Sequence, residues 1–152
     1  MPKSSAGILL YRRKPRLEVF LVHPGGPFWA KKDAWSIPKG EYTDGEEPLA
    51  AARREFEEET GSPIGGEFLA LGQIRQPSGK QVMAWAVEGD FDPAKLVSNT
   101  CLVEWPPRSG KEIEIPEVDR GAWFSVDAAR KKIFRGQGTL LDRLEAQLAP
   151  VG

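Results

Sequence analysis

Three glutamates constrain this chain more than any other feature. Glu55, Glu58 and Glu59 stand at i, i+3 and i+4 within a segment, Glu47–Thr60, that reads as a helix, so all three side chains project from one side of it. Pro48 sits in the first turn, where its missing N–H costs least. Acidic residues gather at that end, and Gly61 is placed to stop the helix. Leu49, Ala52 and Phe56 recur at i, i+3 and i+7, a narrow apolar stripe with the glutamates beside it rather than opposite. The carboxylates are therefore expected at the edge of the core. Like charges at this spacing destabilise a helix by roughly a few tenths of a kcal/mol per pair when exposed, and by more when half-buried, so a positive group is expected among them. Carboxylates are hard oxygen ligands suited to Mg²⁺ or Mn²⁺. Arg54 is placed to pair with one of them, and the backbone carbonyl near Lys39–Gly40 to join a metal shell. Gly40 and Gly45 are read as turn-forming residues.

The rest of the chain supplies a sheet. Ser4–Tyr11 and Leu17–Val22 read as strands joined by the basic turn Arg12–Arg16, in which Pro15 is better placed than in a ladder. An irregular His-Pro-Gly-Gly-Pro segment follows, and then a short strand at Ala34–Ile37. Phe68–Gln73 and Val82–Val87 form a hairpin across Pro77–Lys80. Lys111–Ile115 and Ala122–Phe124 read as strands, Val126–Phe134 and Leu140–Leu148 as helices. Strands flanking a central helix and a terminal helix imply an α/β fold with a mixed sheet. Without a repeat or linker, residues 1–152 are expected to form one domain.

Charge sharpens this picture. Glu41–Glu59 holds eight acids against Arg53 and Arg54, a local −6, whereas the whole chain carries only −1. That total gives no pull toward long nucleic acid or acidic membrane. With 40% hydrophobic and 28% charged residues, the composition excludes a disordered or fibrous chain. No apolar run approaches the ~18 residues of a spanning helix, and the first residues lack a signal-peptide core. One cysteine, Cys101, excludes an internal disulfide framework. A reducing cytoplasm is the expected compartment.

Written out, Gly40–Ser62 is GEYTDGEEPLAAARREFEEETGS. This resembles the signature of the Nudix hydrolase family, G-x5-E-x7-R-E-U-x-E-E-x-G-U, with U a bulky apolar residue. Gly40, Glu46, Arg54, Glu55, Phe56, Glu58, Glu59 and Gly61 fall on its positions. Ser62 departs from the final U, with Ile64 close enough to take over its packing. The resemblance implies an α/β/α sandwich and Mg²⁺-dependent (or Mn²⁺-dependent) hydrolysis of a diphosphate bond in a nucleoside diphosphate derivative. By position it makes Glu58 and Glu59 metal ligands and Glu55 a ligand or general base. Glu46 and Arg54 brace the loop and helix, and Arg54 stands among the catalytic candidates. A further carboxylate, from a loop after the signature, is expected from Glu117, with Glu112 and Glu114 as rivals.

Other residues are candidates for substrate binding: Lys39, Arg75 and Lys80 for phosphate, Trp29 for stacking on a base, His23 for a hydrogen bond. Ser78-Gly79-Lys80 and Ser109-Gly110-Lys111 lack the upstream glycine of a phosphate loop and read as turns. Pro38-Lys39-Gly40 resembles the entrance to the signature in dinucleoside-polyphosphate hydrolases, which makes a dinucleoside polyphosphate the favoured substrate. The alternatives are a nucleoside triphosphate, ADP-ribose, an RNA 5′ end, or a non-catalytic nucleotide sensor on the same fold. The expected partner is a small nucleotide, with the chain a monomer or homodimer.

Overall fold

A computed structural model describes residues 4–13 and 15–149. Lys14, in the expected basic turn, lies outside the described residues, as do both ends of the expected 1–152 domain. The strands are β1 (Ser4–Arg12), β2 (Glu18–Pro24), β3 (Lys39–Glu41), β4 (Leu69–Arg75), β5 (Gln81–Glu88), β6 (Thr100–Glu104), β7 (Glu112–Pro116) and β8 (Val118–Ser125); the helices are α1 (Pro48–Thr60), α2 (Val126–Lys132) and α3 (Gly138–Leu148). Among the described residues no helix is long and apolar enough to cross a membrane.

The main sheet runs β4-β5-β1-β2-β8, with β3 also on β1. β1 and β5 are parallel and the other pairs antiparallel, so the sheet is mixed. β1 is buried from Ser5 to Tyr11 because both faces are covered, which suits the apolar run Ala6–Leu10. Ala6, Ile8 and Leu10 point toward α1 and pack with Ala51, Ala52, Phe56 and Phe20. Leu9 and Tyr11 point the other way and pack with Leu140, Leu141 and Leu144 of α3 and Ala129 of α2. Helices on both faces make the α/β/α sandwich.

Near the site the sheet opens. β1 and β2 are in register only at Tyr11↔Val19 and Arg12↔Glu18, and beyond these pairs the segment 35–41 lies between them. Ser36 exchanges backbone hydrogen bonds with Val22 of β2 at 2.8 and 3.0 Å, while Lys39–Glu41 pairs with Ser5–Gly7 of β1. The strand expected at Ala34–Ile37 is thus two isolated bridges, at Trp35 and Ser36, and the ladder proper begins after Pro38. Proline has no N–H to give a ladder. Pro38 instead contributes its carbonyl, which accepts from Ile8 N–H at 3.1 Å.

Thr100–Glu104, given no strand of its own in the sequence reading, pairs with β7 as a separate two-stranded sheet. One further expectation shifts. α1 starts at Pro48, so Glu46 and Glu47 precede it and no acid lies in its first turn. Gly61 ends the helix in the left-handed region, φ 81°, with its N–H on Glu57 O, as a glycine C-cap does. Ile64 packs at the edge of the α1-side core, in the role Ser62 leaves open.

Candidate active site

α1 lies against β1 and β3, and the burial of Ala51, Ala52 and Phe56 turns the adjoining edge of the helix toward Lys39–Gly40. Glu55 and Glu59 are on that edge, buried at 6% and 8% exposure. Glu117, half-buried in the bend between β7 and β8, completes a trio whose carboxylate oxygens lie within 4.8 Å of one another. Glu112 and Glu114 are exposed on β7 and stay out of the trio.

Gly40 proves to be something other than a turn residue. A Cβ built there would sit 2.0 Å from Glu55 Oε2, so the glycine leaves the slot in which that carboxylate rests. Gly45 does lie in a turn, closed by the Glu46 N–H on Thr43 O at 3.0 Å, with open space around it. The Lys39 backbone reaches the cluster through its N–H, which donates to Glu59 Oε1 at 3.3 Å.

Arg54 organises the neighbouring acids. Its Nε and one terminal nitrogen grip Glu46 at 2.8 and 2.9 Å. The other terminal nitrogen donates to Glu55 Oε1 at 2.8 Å and to Glu58 Oε1 at 3.1 Å. This fixes Glu46 to the helix and aims Glu55. Arg54 is itself engaged with carboxylates on every side, which makes it a positioning residue. Glu58, expected among the metal ligands, is outside the trio: its carboxylate leans on Arg54 and is 37% exposed.

Glu117 is held by a strap. After a single 3₁₀ turn at Pro93–Lys95, Val97 N–H donates to Thr60 O and Asn99 N–H to Glu58 O, at 2.9 and 2.8 Å. These bonds satisfy carbonyls that the end of α1 leaves open. Asn99 O then accepts from Glu117 N–H at 2.9 Å, and Ser98 Oγ accepts from Val118 N–H at 3.0 Å. The helix that carries two carboxylates thereby sets the height of the third.

The electrostatics are those of a site short of positive charge. Burial pushes the Glu59 carboxyl well above its usual range; Lys39 pulls it back, and Glu55 and Glu117 push it further. Burial, then Glu58, raise Glu55, against the pull of Arg54. Burial and Glu58 raise Glu117. Lys39 is lowered, chiefly by burial and then by the neighbouring Lys80. Three oxygen donors that repel one another around one point are the donor set of a hard divalent cation, and the residues fit one.

Beside the carboxylates, a cleft is lined by Lys39, Glu59, Glu117, Trp29, Phe134 and Val118. Trp29 and Phe134 face each other with ring centroids 5.2 Å apart. Phe134, expected only as the end of a helix at Val126–Phe134, lies beyond α2, which stops at Lys132, and no local pattern marks it as a cleft residue. Lys80 is near the rim, 3.7 Å from Glu41. Arg75 is exposed at the end of β4 and lines no part of this cleft. His23, expected as a substrate contact, is fully buried. Its Nδ1 meets Asp119 at 2.9 Å and its Nε2 meets Lys32 O at 2.6 Å, so both nitrogens are spent on tying the 24–33 loop to β8.

Comparison with known proteins gives the following. A family model described as NUDIX domain matches residues 1–144. An 8-oxo-(d)GTP phosphatase of Mycolicibacterium smegmatis is 32% identical over 122 residues, covering 77% of this chain; the chain spans only 30% of that relative's length. Among solved structures, a C. elegans Ap4A hydrolase binary complex superposes with a TM-score of 0.66 at 21% identity, over 95% of this chain and 97% of that one. The NUDIX domain of Shewanella oneidensis NrtR, complexed with ADP ribose, gives 0.68 at 13% identity, over 98% and 90%.

Proposed function

The chain belongs to the NUDIX domain family, and on that premise we propose that it hydrolyses a diphosphate bond in a nucleotide with the help of a divalent cation, Mg²⁺ or Mn²⁺. The supporting observation is the convergence of Glu55 and Glu59 of α1 with Glu117 from the β7–β8 bend, their carboxylate oxygens within 4.8 Å of one another. A cation held by these three, with Glu58 within reach of the same edge, supplies Lewis acidity that makes water a better nucleophile and offsets charge on the phosphates.

The chain's own residues do the rest. Arg54 keeps Glu55 in the Gly40 slot, where its carboxylate is placed to accept the proton of the attacking water. Lys39, buried among the acids, and Lys80 at the rim face the polyphosphate. Trp29 and Phe134 offer flat surface for a base next to the carboxylates.

The favoured substrate is a dinucleoside polyphosphate, supported by Pro38-Lys39-Gly40 at the entrance to the signature. A second reading, hydrolysis of a nucleoside triphosphate including oxidised ones, is supported by the relative named 8-oxo-(d)GTP phosphatase. The test is turnover of diadenosine polyphosphates, canonical and oxidised triphosphates, ADP-ribose and 5′-triphosphate RNA, with Mg²⁺ or Mn²⁺ and with chelator. Glu59→Gln is run alongside. Metal-dependent turnover that this variant loses is the expected result, and the highest kcat/KM selects the substrate. Nucleotide binding without turnover of any compound would overturn the proposal in favour of a sensor.

A further inference from the structure

Trp29 has a second side. One face closes the cleft that holds Glu59 and Glu117, and the same residue lines a separate hollow with Phe28, Trp105, Pro107, Val103 and Ile115. This hollow lies between the 24–33 loop and the β6–β7 hairpin, the two parts of the molecule least involved in the main sheet. Phe28 is 55% exposed, a large apolar surface left in water beside two tryptophans.

The hollow is built rather than accidental. Gly25 and Gly26 press the loop onto β7. A Cβ at Gly25 would fall 2.0 Å from Pro116 O, and one at Gly26, whose φ is +93°, 2.5 Å from Ile115 Cδ1. Gly25 N–H also donates to Glu117 O at 3.0 Å, so the residue that brings the third carboxylate anchors this loop as well. Phe28 packs edge-on against Trp29, with centroids 5.0 Å apart. The one acid in the lining, Glu104, has its carboxylate committed to the N–H groups of Arg108 and Gly110 at 2.9 and 3.1 Å. Its charge is solvated by the hairpin's own backbone rather than turned toward the aromatic rings. The charge at the rim is positive: Lys32 Nζ stands 3.7 Å from the Phe28 ring centroid.

We infer that this hollow is a second ring-binding subsite, which takes the distal nucleobase of a substrate with a base at each end of its phosphate chain. The inference rests on the proposed hydrolysis at the neighbouring carboxylates and names what that site selects. Flat aromatic walls suit a base in any sequence-independent orientation. Lys32 at the rim suits the phosphate to which the base is joined. Trp29 belongs to both linings, which sets the two hollows side by side.

The experiment compares diadenosine tetraphosphate with adenosine 5′-tetraphosphate, which keeps the phosphate chain and lacks the second base. Trp105→Ala on the hairpin and Phe28→Ala on the loop are each expected to raise KM for the two-base compound about ten-fold, with kcat retained and KM for the one-base compound unchanged. Trp105→Phe restores most of the loss. Equal effects on both compounds, or no preference of the wild-type protein for the second base, would overturn the subsite. If neither compound is hydrolysed, the favoured substrate fails, while the wider substrate panel decides the proposed reaction. Calorimetric binding of the same two compounds then decides the subsite separately: a preference for the two-base ligand that Trp105→Ala abolishes supports it, and no preference overturns it.

Discussion

The carboxylate floor and the aromatic wall are neighbours, yet the chain assembles them differently. Glu55 and Glu59 come from adjacent positions on one face of α1, and Glu117 is bonded to the end of that same helix through the 97–99 strap. Trp29 comes from an irregular loop and Phe134 from beyond α2, far along the chain, and they meet only by folding. The floor is also well tied: Glu55 has a slot and an arginine, Glu59 a backbone N–H, and Glu117 a strap that holds its backbone. The wall rests on ring contacts and on a loop pinned by His23. Under the proposed function, chemistry is thus tied to the helix and substrate fit to the loops, an arrangement in which specificity can change without disturbing the carboxylates.

The sharpest way to test this division is at the floor. Glu117→Gln is expected to lower metal-dependent turnover by about a thousand-fold, the scale of a lost charge at a metal-assisted displacement, while the metal-free protein stays folded and melts no lower than wild type. A loss confined to KM would break the distinction between floor and wall. Gly40→Ala should lower turnover by about a hundred-fold, because its new Cβ would occupy the place of the Glu55 carboxylate. Unchanged turnover in that variant would remove the slot from the account.

At the wall the effect should be smaller and of another kind. Phe134→Ala is expected to raise KM for nucleotides about ten-fold through lost stacking and to leave kcat within about two-fold. A fall in kcat equal to that in kcat/KM would mean that the wall acts in the transition state. Arg54→Met should cost about 1–2 kcal/mol of stability. It strands Glu46 and Glu55, but its own head group is half in water, which discounts the larger penalty of a buried pair. Chemical denaturation measures this directly.

The smallest effect is on pH. Glu55, Glu59 and Glu117 are all raised in the folded chain, so at pH values above the ordinary carboxylate range the native state binds more protons than the unfolded state. Stability without metal should therefore be full below that range and decline as pH rises through the folded values. Saturating Mg²⁺ should remove the decline. A metal-free melting temperature that rises with pH over this interval would contradict the crowding on which the site depends.

What could be read in advance follows the same division. The three-glutamate face, the glycine that stops α1 and the two-sided burial of β1 are local patterns, set by helical spacing or by a run of apolar residues. Gly40 was visible as a glycine, but its purpose was not, because its partner Glu55 is on another element. β6 has only Cys101 and Val103 turned inward, too little to signal a strand. His23 illustrates the limit in the other direction: a lone histidine before Pro-Gly-Gly invites a functional reading, and only the fold reveals that Asp119 and Lys32 O claim both its nitrogens. The pairing of Trp29 with Phe134 leaves no trace in either local sequence.

The most direct test is a calorimetric titration of Mn²⁺ into the wild-type protein, Glu59→Gln and Glu57→Gln, the last on the exposed face of α1. Saturable binding that weakens about a hundred-fold in Glu59→Gln, at the upper end of what loss of a supporting partner costs a metal site, and stays unchanged in Glu57→Gln is the predicted result. Equal affinity in all three proteins would contradict the assignment of Glu55, Glu59 and Glu117 as the metal site.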